Sequence, residues 1–152
     1  MVVRVQSQAF EIGAEIAALT RGRSDVGAVV TFTGLCRDEG GRLAALEIEH
    51  YPGMAEEEIG RVVAEAQSRW PLQGVTVVHR HGRIAAGEEI VLVVTLSAHR
   101  RAAFEAAEFL MDYLKTSAPF WKKTLRLCEG SGEWVEAKTS DTVDARRWRQ
   151  QG

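Results

Sequence analysis

"EEIVLVVTLSAHRRAAFEAAEFLMDYLKTSAPFWKKTL" (Glu88–Leu125) runs through three hydrophobic periods, and their order defines the fold class. Ile90 to Leu96 is an almost unbroken, β-branched apolar run, which predicts a strand. From His99 onward, Ala103, Phe104, Ala107, Leu110, Met111 and Leu114 recur at three- and four-residue intervals, which predicts an amphipathic helix with these six on its apolar stripe. Pro119 lacks the N–H a helix needs and pushes the preceding residue toward extended geometry, so the helix must end before it. Beyond it, alternation groups Phe120, Lys122, Thr124 and Arg126 on one strand face and Trp121, Lys123, Leu125 and Leu127 on the other. The second face is the more apolar, which predicts a buried Trp121 with the Lys123 stem laid across it.

The flanking sequence repeats this mixture. "VVRVQ" predicts a first strand, and "EIGAEIAALT" a helix with Ile12, Ile16 and Leu19 on one face. "VGAVVTFTGLC" and "LAALEIEHY" predict strands separated by the turn "RDEGGR", and Met54 to Trp70 a helix closed by Pro71. "VTVVHRHG" predicts a strand whose "HRHGR" end is exposed, joined by "RIAAG" to the Ile90 strand. "EWVEAKT" closes the set, and the polar segment "SDTVDARRWRQQG" either docks through Trp148 or stays disordered. Helices mixed with consecutive strands predict a single α+β domain with a largely antiparallel sheet, residues 1–140, followed by a polar tail, residues 141–152.

At 152 residues and 45% hydrophobic composition the chain suits one compact core. A net charge of −2 argues against a domain devoted to gripping a nucleic-acid backbone. Cys36 and Cys128 lie far apart without zinc-ligand spacing, and no apolar run reaches the roughly 18 residues of a membrane span. Together these predict a soluble, cytoplasmic protein.

Three places break local rules in ways that suggest chemistry. The first turn of the helix after Ser97 carries His99, Arg100 and Arg101, where the positive end of the macrodipole favours acidic residues; a bound anion, or simple exposure to water, would offset the repulsion. At the other end Lys115 borders the apolar stripe, and a chain reversal at Pro119 would bring Lys122 toward it. From Tyr113 to Cys128 there are four cations and no carboxylate. Two ammonium groups held close together lower each other's pKa and attract anions, although the same cations beside Phe120 and Trp121 would also suit stacking on single-stranded nucleic acid. Finally, Arg37 ends a buried strand beside a Gly-rich loop that fits neither phosphate-binding fingerprint, and Cys36 reads as a buried inert thiol.

The segments "GAVVTFTG", "LEIEHYPGMAE", "RWPL", "VHRHGRIAAGE", "SAHRRAAFEAAEFLMDYLKTSAPFWKK" and "WVEAK" closely resemble the large, catalytic subunit of molybdopterin synthase over nearly the whole chain. The resemblance implies an α/β hammerhead-type fold. It also implies transfer of sulfur from the C-terminal thiocarboxylate of a small ubiquitin-like partner to cyclic pyranopterin monophosphate, forming a dithiolene. A homodimer of large subunits with one small subunit at each end is implied, with no metal or redox cofactor. Carried over by position, the catalytic lysines match Lys115 and Lys122. Anion-binding residues match Arg37, His99 and Arg100, and pocket-lining residues match Phe32 and Met111, while Lys123 and Lys138 complete the candidate substrate-binding set. Thr124 stands where the family commonly has Glu, Lys138 where it commonly has Arg, and Cys36 where it commonly has Val.

Overall fold

A computed structural model describes residues 1–126, 133–135 and 145–149. Chain order is β1 (Val2–Gln6), α1 (Ile12–Thr20), β2 (Ala28–Leu35), β3 (Leu43–His50), α2 (Met54–Arg69), β4 (Leu72–Arg80), β5 (Gly82–Ala85), β6 (Glu89–Ser97), α3 (Arg100–Thr116), β7 (Phe120–Arg126) and β8 (Glu133–Val135). These strands form two four-stranded sheets, β1-β4-β6-β2 and β5-β3-β7-β8. Every pairing is antiparallel except β1 with β4. The α+β class and its largely antiparallel sheets are thus as the sequence indicates.

The first sheet is central because its two middle strands are covered on both sides. Val78, Leu92, Val94 and Leu96 pack with Phe10 against Ile12, Ile16 and Leu19 of α1. On the opposite face, Val75, Val77, Val91 and Val93 pack with Ile59, Val62 and Val63 of α2 and with Ala107, Phe109 and Leu110 of α3. That double coverage explains why β4 and β6 carry apolar runs rather than alternation. Buried Thr95 is accommodated because its hydroxyl donates to the Ala103 carbonyl at 2.7 Å, tying β6 to the first turns of α3.

The helix ends follow from local chemistry. The Glu56 carboxylate accepts the Gly53 N–H at 2.7 Å, and Glu56 and Glu57 lie in the favourable first turn of α2. The Trp70 indole closes this helix by donating to Glu105 of α3 at 2.9 Å. Around residue 148 the chain returns to the same place: Trp148 is buried edge-on to Trp70 and Phe109, its carbonyl accepts from Arg69, and its indole donates to Asp112. The docking alternative therefore holds for Trp148.

Three expectations change. "RIAAG" is more than a connector, since β5 pairs with β3 and so belongs to the second sheet. The crossing occurs at Gly82, whose φ of +86° is a backbone conformation that glycine adopts without a Cβ penalty. The "HRHGR" segment is not an exposed strand end: His79 and Arg80 are buried, with the Arg80 guanidinium held by the Ser7 and Glu89 carbonyls and by Glu88. Phe104 is 60% exposed rather than part of the apolar stripe, because the buried arc of α3 is centred on Ala106, Phe109 and Leu110.

Candidate active site

The orientation of β7 reverses the sequence expectation. Thr124 is buried and Phe120 packs on the core, whereas Trp121 is 44% exposed and meets Tyr51 edge-on at 5.0 Å. The inward face is therefore the one carrying Lys122. Alternation separates the two faces of a strand but does not say which is inside; a cleft between the sheets provides room for an inward lysine.

That cleft is partly open and holds about 60 Å³ of water-accessible space. Its floor is a row across the first sheet, where Gly34 of β2, Val91 of β6 and His79 of β4 are register partners. A Cβ at Gly34 would stand 2.9 Å from Val91 Cγ1, so glycine keeps this floor clear. Met111, Leu114 and Lys115 enter from the last turns of α3, Lys122 from β7, and Phe32 from β2. Lys115 sits in the final helical turn, where the macrodipole favours a cation. Asp112, three residues earlier, takes bonds from the Trp148 indole and Arg147.

His79 is the residue that the sequence reading missed. Its Nδ1 lies 2.8 Å from the Arg80 carbonyl, and its ring stacks on Phe120 at 3.8 Å with planes 13° apart. Burial pushes its pKa down to about 3, and the charges of Lys122, Lys115 and His50 push in the same direction; the bond to the Arg80 carbonyl opposes them. The available signal was period two: Val75, Val77 and His79 share a face of a strand that is apolar throughout its centre. A column of rings continues past Phe120 to His50 and then His81, joining both sheets near the Gly82 corner.

The structure thus brings together Phe32, Met111, Lys115 and Lys122. His99 and Arg100 are exposed around a separate, more open depression at the start of α3, shared with Gly27, Ala98 and Arg101. His99 occupies the N-cap without a side-chain cap bond, and the first turn has no acidic residue. Among the described residues, Arg101 alone of these cations forms an ion pair, with Glu105 one turn on at 2.8 Å. Arg37 is exposed beyond the end of β2, and Lys123 stands on the outer face of β7 opposite Glu47. Lys138 and Cys128 lie outside the described residues. Cys36 is a buried free thiol whose pKa is raised chiefly by burial. Among the described residues no group of His, Cys, Asp and Glu has metal-binding geometry, and no helix is long and apolar enough to cross a membrane.

One flank of α3 links the two depressions. At about 100° per residue, Arg100, Phe104, Met111 and Lys115 fall within about 60° of one another around the helix. Arg100 and Lys115 are separated by about 22 Å along its axis at 1.5 Å per residue.

Residues 5–117 match the family model described as MoaE protein. A molybdopterin synthase catalytic subunit from Mesorhizobium japonicum is 69% identical over 147 residues, covering 97% of this chain and 92% of that protein. Among solved structures, the molybdopterin biosynthesis MoaE protein from Burkholderia ambifaria superposes with a TM-score of 0.83 at 43% identity, covering 97% of each chain. Molybdopterin synthase from Staphylococcus aureus superposes with a TM-score of 0.78 at 29% identity, covering 86% of this chain and 94% of that one. With the family model matching most of the chain and a catalytic subunit 69% identical to it over 97% of its length, the chain belongs to the family of molybdopterin synthase catalytic subunits.

Proposed function

We propose that the cleft transfers sulfur from the C-terminal thiocarboxylate of a small ubiquitin-like partner to cyclic pyranopterin monophosphate, building the dithiolene of molybdopterin in the cytoplasm. The observation that carries this reading is the convergence of Lys115 and Lys122, from different elements, on one cleft with otherwise largely apolar walls. Such a site suits an extended tail ending in an anionic thiocarboxylate, because two cations from different elements face one largely apolar cleft.

In the proposed reaction the thiocarboxylate sulfur attacks an electrophilic, oxygen-bearing carbon of the pterin side chain. A C–S bond forms, the C–O bond at that carbon breaks with the oxygen leaving as water or as the freed arm of the cyclic phosphate, and the partner stays attached as a thioester. Water then adds to the thioester carbonyl, the bond between carbonyl carbon and sulfur breaks, and the partner departs as a carboxylate with sulfur retained on the pterin. A second partner repeats the sequence at the neighbouring carbon. Lys115 stabilises the oxyanion formed when water adds, and Lys122 donates and accepts protons at the substrate oxygens.

Arg37, His99 and Arg100 are assigned to the cyclic phosphate. The roughly 22 Å between Arg100 and Lys115 is too long for one small substrate to span within a single chain. A second copy supplies the phosphate-binding group in this reading, which is the homodimer that the family resemblance implies. Edge strand β2, with exposed Val29, Phe32 and Leu35, and exposed Phe104 on α3 supply apolar surface for such an assembly.

The test combines purified protein, thiocarboxylated small partner and cyclic pyranopterin monophosphate, with mass spectrometry of the pterin product. A dithiolene that forms with the native chain and is lost with Lys115→Ala supports the assignment; full sulfur transfer by Lys115→Ala overturns it. Exposed Trp121 is the one observation favouring a nucleic-acid surface, but its register neighbour on β3 is Glu49 and that of Lys123 is Glu47, carboxylates that would repel a phosphate backbone.

A further inference from the structure

His79 has no role in the chemistry assigned above, yet it is the third polar side chain of the cleft. A backbone carbonyl only accepts hydrogen bonds, so the 2.8 Å contact with the Arg80 oxygen places the ring proton on Nδ1 and leaves a lone pair on Nε2. Phe120, stacked at 3.8 Å, fixes the ring plane. Nδ1 is occupied by the backbone of the ring's own strand, and the ring borders the cleft with Lys115 and Lys122. Three titratable groups on neighbouring elements act on it: Lys122 of β7, Lys115 of α3 and His50 of β3, with Lys122 exerting the largest charge effect.

We propose that His79 is a positioning residue for sulfur transfer: its Nε2 lone pair accepts a hydrogen bond from the Lys122 ammonium and holds that cation at the substrate. The inference rests on the sulfur-transfer reading of the cleft. Its physical basis is that a neutral imidazole can accept from an ammonium, whereas an imidazolium would repel it. The deep burial that keeps the ring neutral thereby keeps the acceptor available near neutral pH.

Two substitutions separate this role from packing. His79→Phe keeps a flat ring against Phe120 and removes the acceptor; His79→Gln loses the stack and can place an amide oxygen near the former Nε2 position. Positioning predicts that His79→Phe lowers kcat by roughly 10- to 100-fold with KM little changed, the range for a lost hydrogen bond to a charged group. His79→Gln recovers activity to within about fivefold of the native chain on the same scale. The opposite order, Phe active and Gln impaired, would show a packing role and overturn the proposal, as would equal activity or equal loss in both.

A second measurement stands apart from turnover and from the folding of these variants. Nitrogen NMR of histidine-labelled native protein should show His79 protonated at Nδ1 and bare at Nε2 from about pH 5 to about pH 8, a window that spans the unperturbed histidine value of about 6.5. Lys122→Ala should raise its pKa. An unchanged His79 titration in Lys122→Ala, or a proton on Nε2 in the native protein, overturns the proposal. If the native chain makes no dithiolene, the sulfur-transfer reading fails, while the NMR result still decides whether His79 and Lys122 interact.

Discussion

The two ends of α3 both carry exposed cations, but only at the finish does one line a cleft shared with a second lysine. At the start, His99, Arg100 and Arg101 stand exposed around an open depression, against the macrodipole and with no acidic residue in the first turn. At the finish, Lys115 agrees with the macrodipole and, although exposed, lines the cleft between the first sheet and β7 together with half-buried Lys122. The same charge therefore has different settings: on an open depression it attracts anions over a distance and is screened by salt, and beside a second lysine on a largely apolar cleft it adds to a local field that favours an anionic group. The difference teaches that position relative to the two sheets, more than residue type, separates the cations proposed to bind from those proposed to react.

The largest test of this contrast is Lys115→Ala, for which we expect product formation to fall on the order of 10³-fold while the thermal midpoint changes little. Single-turnover kinetics with thiocarboxylated partner check it. Next is the neighbouring pair on β7: Lys122→Ala should cost on the order of 10²-fold, whereas Lys123→Ala, on the outer face, should stay within about threefold. Equal losses would mean that β7 does not distinguish its faces in function.

Acid titration probes the cleft end through stability. His79 has its pKa lowered from 6.5 to about 3, so above about pH 6.5 it is neutral in both folded and unfolded chains. Between those values the unfolded chain takes up the proton first, and stability falls with acidification by at most about 1.4 kcal/mol per pH unit from this group. Chemical denaturation at successive pH values should show that His79→Phe flattens this limb. The smallest effects belong to the open end: Arg100→Ala should raise KM for the pterin about tenfold with kcat retained, increasingly masked by salt. Arg101→Ala, which removes a side chain 89% exposed and paired only with Glu105 among the described residues, should leave both rate and thermal midpoint unchanged.

Much of this organisation was legible in the sequence. The unbroken apolar run of β6 and the helical spacing of α3 reflect contacts each element must make, so both the elements and their order could be read directly. Lys115 and Lys122 were legible as a pair because Pro119 dictates a reversal between them. The burial of His79 and Arg80, the outward turn of Trp121 and the exposure of Phe104 were not. Each depends on where the second sheet lies against the first, a choice made by distant pairings such as His50 with Phe120 that no local period encodes. The separation of Arg100 from Lys115 was implicit in helix length, but its meaning needed the cleft.

Gly82 is the corner at which the chain passes from one sheet to the other. The chain leaves the first sheet after Arg80 and enters the second at this residue, so its backbone angle helps set the spacing between the cleft's opposing walls. The space around a Cβ there is empty, which makes the conformational preference, rather than crowding, the barrier to replacement. Gly82→Ala would thus test whether the aperture of the site can be retuned, and the length of tail it admits altered, without changing a single residue on its walls.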